Sequence, residues 1–109
     1  MNTEQLQKTL RASQYAEQVL GIHHSAIEQD YAQDQFLSSL STEQIHQHVK
    51  QALQGIDNEA VWMRTLRILR ARFMFRWIWQ DANQLTDVVT LTRELSDFAD
   101  ASICVAKAF

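Results

Sequence analysis

The chain has 109 residues, no proline, only two glycines (Gly21 and Gly55) and a net charge of −3. Average usage of about 7% glycine and 5% proline would give roughly eight and five, so turn-rich sandwiches and barrels and Gly-rich βαβ nucleotide-binding units are disfavoured. The acid excess provides no overall basic field for nucleic acid or an acidic membrane, and the single cysteine, Cys104, excludes an internal disulfide.

What remains is an all-α protein, a small helical bundle. With 46% hydrophobic and 21% charged residues, the composition fits one helical domain over residues 1–109. No apolar stretch reaches the ~18 residues of a membrane span. The first twenty residues are polar with scattered apolar positions, unlike a signal peptide, so a cytoplasmic location is expected.

In chain order, Leu6, Leu10, Tyr15, Ala16, Val19 and Leu20 recur at three- and four-residue spacing, which predicts helix from Thr3 to Leu20. Ser13 offers a break, and Gly21 is placed to close the helix as a C′ residue. A short helix between Ser25 and Tyr31 and a polar loop around Gln33 to Ser39 follow. Ser41 with Gln44 forms the signature of a capping box, and Ile45, Val49, Ala52 and Leu53 give the apolar stripe of a helix that Gly55 ends. Asp57 or Asn58 caps a long helix running to Gln80 or Asn83.

A last helix begins at Thr86, with Asp87 favourable at its N-terminal dipole. Its expected core stripe is Val88, Leu91, Leu95, Phe98, Ala99, Ser102 and Ala106. Residues 58–80 and 86–108 are short-linked neighbours and are expected to form an antiparallel hairpin. The sequence is still apolar at Val105, Ala106 and Phe109, which suggests a fragment of a larger multidomain protein.

Residues 58–80 hold all three tryptophans, Phe73 and Phe75, and five of the ten basic residues. At about 100° per residue, Trp62, Leu66, Leu69, Phe73 and Trp77 fall in one stripe about 80° wide. Val61, Ile68, Phe75 and Trp79 form a second stripe. Arg64, Arg67 and Arg70 fill one gap between them, and Arg72 and Arg76 the other. Two stripes mean burial on two sides, and the second is expected to dock onto another domain or another copy of the chain. Because arginines surround the helix instead of lining one face, structural pairing is favoured over nucleic-acid binding. Glu94, Asp97 and Asp100, on a face expected to be solvated, are the anticipated partners of Arg67, Arg70 and Arg72.

No catalytic constellation emerges. His23-His24 and His46-x-His48 have spacings that do not share a helix face, so neither pair chelates a metal from a helix. Cys104 has no activating neighbour. No cofactor is expected in this segment.

The run from Trp62 to Trp79 resembles a segment of bacterial glutamine synthetase adenylyltransferase, the bifunctional family that attaches AMP to glutamine synthetase and removes it. The family pattern there reads roughly Leu-Arg, an aromatic or Leu, basic residues, Met, one residue, then Arg-Ile-Ala-Trp. Leu66, Arg67, Leu69, Arg70, Arg72, Met74, Arg76 and Trp79 match it, while Trp77-Ile78 stand where Ile-Ala is usual. Leu91 to Ala108, containing Glu94-Leu95-Ser96-Asp97-Phe98-Ala99-Asp100, is similar to the family's next helix, and Ser13-Gln14-Tyr15-Ala16 to its Ser-Asp-Phe-Val region.

The resemblance implies a helical region ahead of a nucleotidyltransferase domain, whose Gly-Ser turn and Asp-x-Asp pair handle ATP and Mg²⁺. This chain has no Asp-x-Asp and no glycine after Gly55. It is therefore expected to be the non-catalytic N-terminal helical region before the first such domain, a position favoured by the Met1 start. Its implied partners are the downstream nucleotidyltransferase domain and, through the parent enzyme, glutamine synthetase and the PII protein. The rival expectation is a free-standing adaptor that dimerises through the second stripe.

Overall fold

Asn2 opens the first helix, its Oδ1 accepting the Gln5 backbone N–H at 3.0 Å. The computed structural model describes residues 1–108, and among these it contains five helices and no strand. They are α1 (Thr3–Ala12), α2 (Gln14–Asp34), α3 (Thr42–Leu53), α4 (Glu59–Ala82) and α5 (Val88–Ala108). The all-α class read from the composition is the fold. Phe109 lies outside the described residues.

Ser13 does break the first helical stretch. Its backbone is extended (φ −150°), its N–H donates to Thr9 O, and its Oγ accepts the Ala16 N–H at 3.1 Å to start α2. Gly21 does not end a helix. Helix α2 runs through it to Asp34, taking in the short helix expected at Ser25–Tyr31 and the start of the expected loop. A C′ glycine acts by adopting positive φ, and Gly21 does not. The distortion falls instead at His23 (φ −116°, ψ 32°), which kinks the helix. The real terminus is Gln35, left-handed at φ 55°, whose N–H donates to Tyr31 O at 2.6 Å.

Because Gly21 is helical and a Cβ there would meet nothing within 4 Å, Gly21→Ala is expected to stabilise the protein by about 0.5–1 kcal/mol. A rise in the urea midpoint at unchanged m-value is the expected reading, and a fall would contradict a helical residue 21.

The later elements follow their sequence signals closely. Ser41 Oγ accepts the Gln44 N–H at 3.1 Å and Gln44 Oε1 accepts the Ser41 N–H at 2.8 Å, a complete capping box. Gly55 takes φ 79° just beyond α3. Asn58, not Asp57, caps α4, accepting the Val61 N–H at 3.1 Å. Gln84, at φ 56°, turns the chain after α4, and α5 starts at Val88, two residues later than expected.

The chain divides into two compact units, to both of which α4 contributes. The first joins residues 1–38 with 71–87. Its core is Ala16, Val19, Ile27 and Phe36 packed with Phe75 and Trp79 of α4, flanked by Leu6, Leu20 and Tyr31. The second joins residues 39–70 with α5. There α5 packs on α3, and Ile45, Val49, Leu53, Trp62, Leu69, Phe98 and Ala101 are buried.

The buried face of α5 is not the most apolar one. Phe98 is buried as expected, but Val88, Leu95, Ala99 and Ala106 are exposed, whereas Glu94 and Asp97 are buried. Asp97 Oδ2 accepts from Thr42 Oγ1 at 2.8 Å and from Arg93 Nη1 at 2.7 Å, and Arg93 Nη2 also donates to Leu40 O at 2.6 Å. A carboxylate met by two donors can be taken out of water. The expected solvated acidic face is thereby corrected: of its three carboxylates only Asp100 is exposed.

Candidate functional site

The five arginines of α4 separate into two sets. Arg72 and Arg76 are one helical turn apart, as are Asp30 and Asp34 at the end of α2, so the two rows face each other in register. Arg72 donates through Nε to Asp30 Oδ2 (2.9 Å) and through Nη2 to Asp30 Oδ1 (2.6 Å). Arg76 donates through Nη1 to Asp34 Oδ1 (3.1 Å) and through Nη2 to Asp34 Oδ2 (2.7 Å) and to Ser38 O. Both are forked guanidinium–carboxylate pairs, a geometry lysine does not reproduce.

The second pair also grips a strained turn. Gln35 and Phe36 both lie in the left-handed region, at φ 55° and 57°, a costly conformation for a bulky residue. Several groups hold it there. Asp34 Oδ1 accepts the Phe36 N–H at 3.0 Å, Gln80 Nε2 donates to Phe36 O (2.9 Å) and Ser38 O (3.1 Å), and Arg76 lies 5.6 Å over the Phe36 ring. The ring is buried against Tyr31, Phe75 and Trp79. Just past the end of α4, Asn83 Nδ2 donates to Gln5 O and Thr9 Oγ1, tying α1 to the turn that follows the helix.

These contacts set the ionisation of the pair. Partial burial opposes the charged form of Asp34, but the hydrogen bonds and charge of Arg76 and the Phe36 and Ser38 backbone outweigh it, so its pKa is lowered. The hydrogen bond to Asp30 raises Arg72 above the usual arginine value, partial burial opposing it and the Asp30 charge adding to it.

Arg64, Arg67 and Arg70 form the other set. All three are exposed, and among the described residues no ion pair engages them. Two of the expected partners are engaged elsewhere: Arg72 turns to Asp30 of α2, and Asp97 takes Arg93 of its own helix. The acidic partners of Arg72 and Arg76 lie not on the helix next in sequence but 42 positions upstream. The matching four-residue spacing of Asp30/Asp34 and Arg72/Arg76 was the available signal.

The second stripe of α4 is corrected in the same way. Phe75 and Trp79 are fully buried, but in the core formed with α2 of this chain. They present no surface to a second copy or another domain. Ile68 is half-buried and only Val61, 49% exposed, faces outward. No three of His, Cys, Asp or Glu among the described residues are grouped so as to hold a metal ion, and His24 instead meets Glu28 at 3.4 Å on an exposed helical turn. Cys104 is exposed. Among the described residues no helix is long and apolar enough to cross a membrane.

The Arg-rich helix thus has a defined structural task, and comparison with known proteins shows whose it is. The family model of glutamate-ammonia ligase adenylyltransferase matches residues 3–109. The chain belongs to that family. Over all 109 residues it is 70% identical to the bifunctional glutamine synthetase adenylyltransferase/adenylyl-removing enzyme of Acinetobacter baylyi, covering 12% of that protein. Over 68 residues, 62% of the chain, it is 37% identical to the enzyme of the same name from Pseudomonas syringae pv. tomato, covering 7% of it. No solved structure matches.

Within this adenylyltransferase family segment, the motif residues divide by environment. Leu69, Arg76 and Trp79 are buried, Leu66, Arg72 and Met74 are half-buried, and Arg67 and Arg70 are exposed.

Proposed function

We propose that this chain is a non-catalytic helical part of a bifunctional glutamine synthetase adenylyltransferase/adenylyl-removing enzyme, lying ahead of its first nucleotidyltransferase domain and acting in the cytoplasm. The observation that carries the reading is the use of the motif arginines. Arg72 and Arg76, the charged residues best placed on the family-matching helix, are each forked onto a carboxylate, Asp30 and Asp34, and stiffen the fold. They are not held free for a phosphate. The adenylyl chemistry, with its ATP and Mg²⁺, belongs on this reading to residues elsewhere in the polypeptide, the chain being 12% of its Acinetobacter relative.

The outward end of α4, with Val61 and Ile68 beside the exposed Arg64, Arg67 and Arg70, is the part of the expected packing surface still accessible for the nucleotidyltransferase domain. Glutamine synthetase is the protein acted upon, and PII the regulatory partner, through the parent enzyme.

The test is direct. Incubating the 109-residue chain with adenylylated glutamine synthetase and phosphate should release no nucleotide, while the full-length enzyme does. Release by the chain alone would overturn the assignment.

A further inference from the structure

The exposed face of α5 carries a second, unassigned feature. Val88, Thr92, Leu95, Ala99, Ser102 and Ala106 follow one another at alternating spacings of four and three residues. That is the 3.5-residue repeat of a helix seam. Val88 is 75% exposed and Leu95 40%, and beside them Val89 and Ile103 are 80% and 55% exposed. No charged residue interrupts this line over 19 positions: Arg93, Glu94, Asp97, Asp100 and Lys107 all lie off it. Helix α5 satisfies α3 with a face containing Glu94 and Asp97 and turns its apolar repeat outward.

We propose that this outer face of α5 seats another helix of the same polypeptide, one presenting an uncharged apolar stripe. The inference rests on the reading of the chain as part of a longer enzyme. The repeat selects a helix as the occupant, because only a helix presents knobs every 3.5 residues along a line. The small Ala99, Ser102 and Ala106 let its axis come close at one end. The absence of charge from the seam selects an apolar stripe, since a charge placed there would be desolvated without a partner.

Area separates a tethered helix from a second copy. A line from Val88 to Ala106 is about 27 Å long and a helix about 10 Å wide, so contact buries on the order of 300 Å² on each side. That is about half of the roughly 1,200 Å² total at which stable association of free partners begins. A segment of the same polypeptide is held at up to about millimolar effective concentration and docks on far less area. The Acinetobacter relative, of which this chain is 12%, has ample polypeptide to supply it.

Residue-specific thiol labelling of the full-length enzyme, read by peptide mass spectrometry, tests this. Leu95→Cys and Ala99→Cys should each label at least about tenfold more slowly in the native enzyme than in the urea-denatured one, at micromolar and nanomolar concentration alike. Smaller protection at both positions would overturn the proposal. Protection that disappears on dilution would also overturn it, by showing a second copy on the seam. Labelling does not read nucleotide transfer, so its failure is distinguishable from failure of the functional assignment.

Discussion

Trp79→Ala is expected to remove about 3–5 kcal/mol of folding stability, the usual cost of emptying a fully buried aromatic site. Trp79 is 0% exposed and its ring meets those of Tyr31 at 5.4 Å, Phe36 at 5.7 Å and Phe75 at 6.2 Å. It therefore joins α2, the strained turn and α4 in one cluster. Against a total of roughly 5–15 kcal/mol for a natural domain, such a loss halves the stability or abolishes it. Trp79→Phe separates ring packing from the indole nitrogen. Nε1 is buried and finds no acceptor among the described residues, so phenylalanine forfeits volume but no hydrogen bond, at an expected cost of about 1–2 kcal/mol. Urea denaturation followed by far-ultraviolet circular dichroism measures both. Equal losses in the two variants would show that the indole N–H, not the packed ring, carries the effect.

Arg76→Ala is the second large effect, about 2–3 kcal/mol. Removing one member of a buried pair typically costs about 3–5 kcal/mol, and the partial exposure of Asp34 reduces this. Arg76 is 8% exposed, so its loss strips Asp34 of two hydrogen bonds and Ser38 O of one. Arg76→Lys should rescue little, since an ammonium cannot form the fork. The Arg76→Leu/Asp34→Leu double variant should be less destabilised than the sum of its single changes, because no orphaned charge remains.

The effect depends on pH with a definite sign. The folded pKa of Asp34 is lowered, so its stabilising contribution is complete above the ordinary aspartate value of about 3.9 and is lost as pH falls through the depressed folded value. The stability gap between wild type and Arg76→Ala should accordingly be flat from neutral pH to about 4 and close below it. Urea midpoints measured across that range check this, and a gap that widens in acid would contradict the pair.

The legible parts of this fold were those encoded within one turn of helix. Ser13, the Ser41/Gln44 box, Gly55 and Asn58 act through hydrogen bonds or φ values spanning three or four residues, and each sits where its neighbours indicate. Gly21 misled because a glycine can close a helix or merely be tolerated inside one, and only the dihedral decides.

Tertiary choices were less visible. Periodicity assigns carboxylates to water, yet Glu94 and Asp97 face inward and Leu95 and Ile103 outward on α5. Binary pattern does not register that Arg93 and Thr42 arrive to satisfy Asp97. For the site, the sequence shows the motif arginines and their need for acidic partners. Helix connectivity points to the adjacent helix for those partners, whereas the register of Asp30 and Asp34, four residues apart, decides them.

The first unit is assembled from segments that are far apart in sequence, and this fixes the order in which the chain can settle during synthesis. Everything that restrains Gln35 and Phe36 from downstream, namely Phe75, Arg76, Trp79 and Gln80, emerges some forty residues later. At translation rates of about 5–20 residues per second, α1 and α2 wait roughly 2–9 s before α4 and Asn83 are available to close over them. Through that interval the segment holding α1 and α2 has helix caps of its own at Asn2 and Ser13 but lacks Phe75 and Trp79, which complete its core. The first unit therefore reaches its packed core only when residues 71–87 have been made.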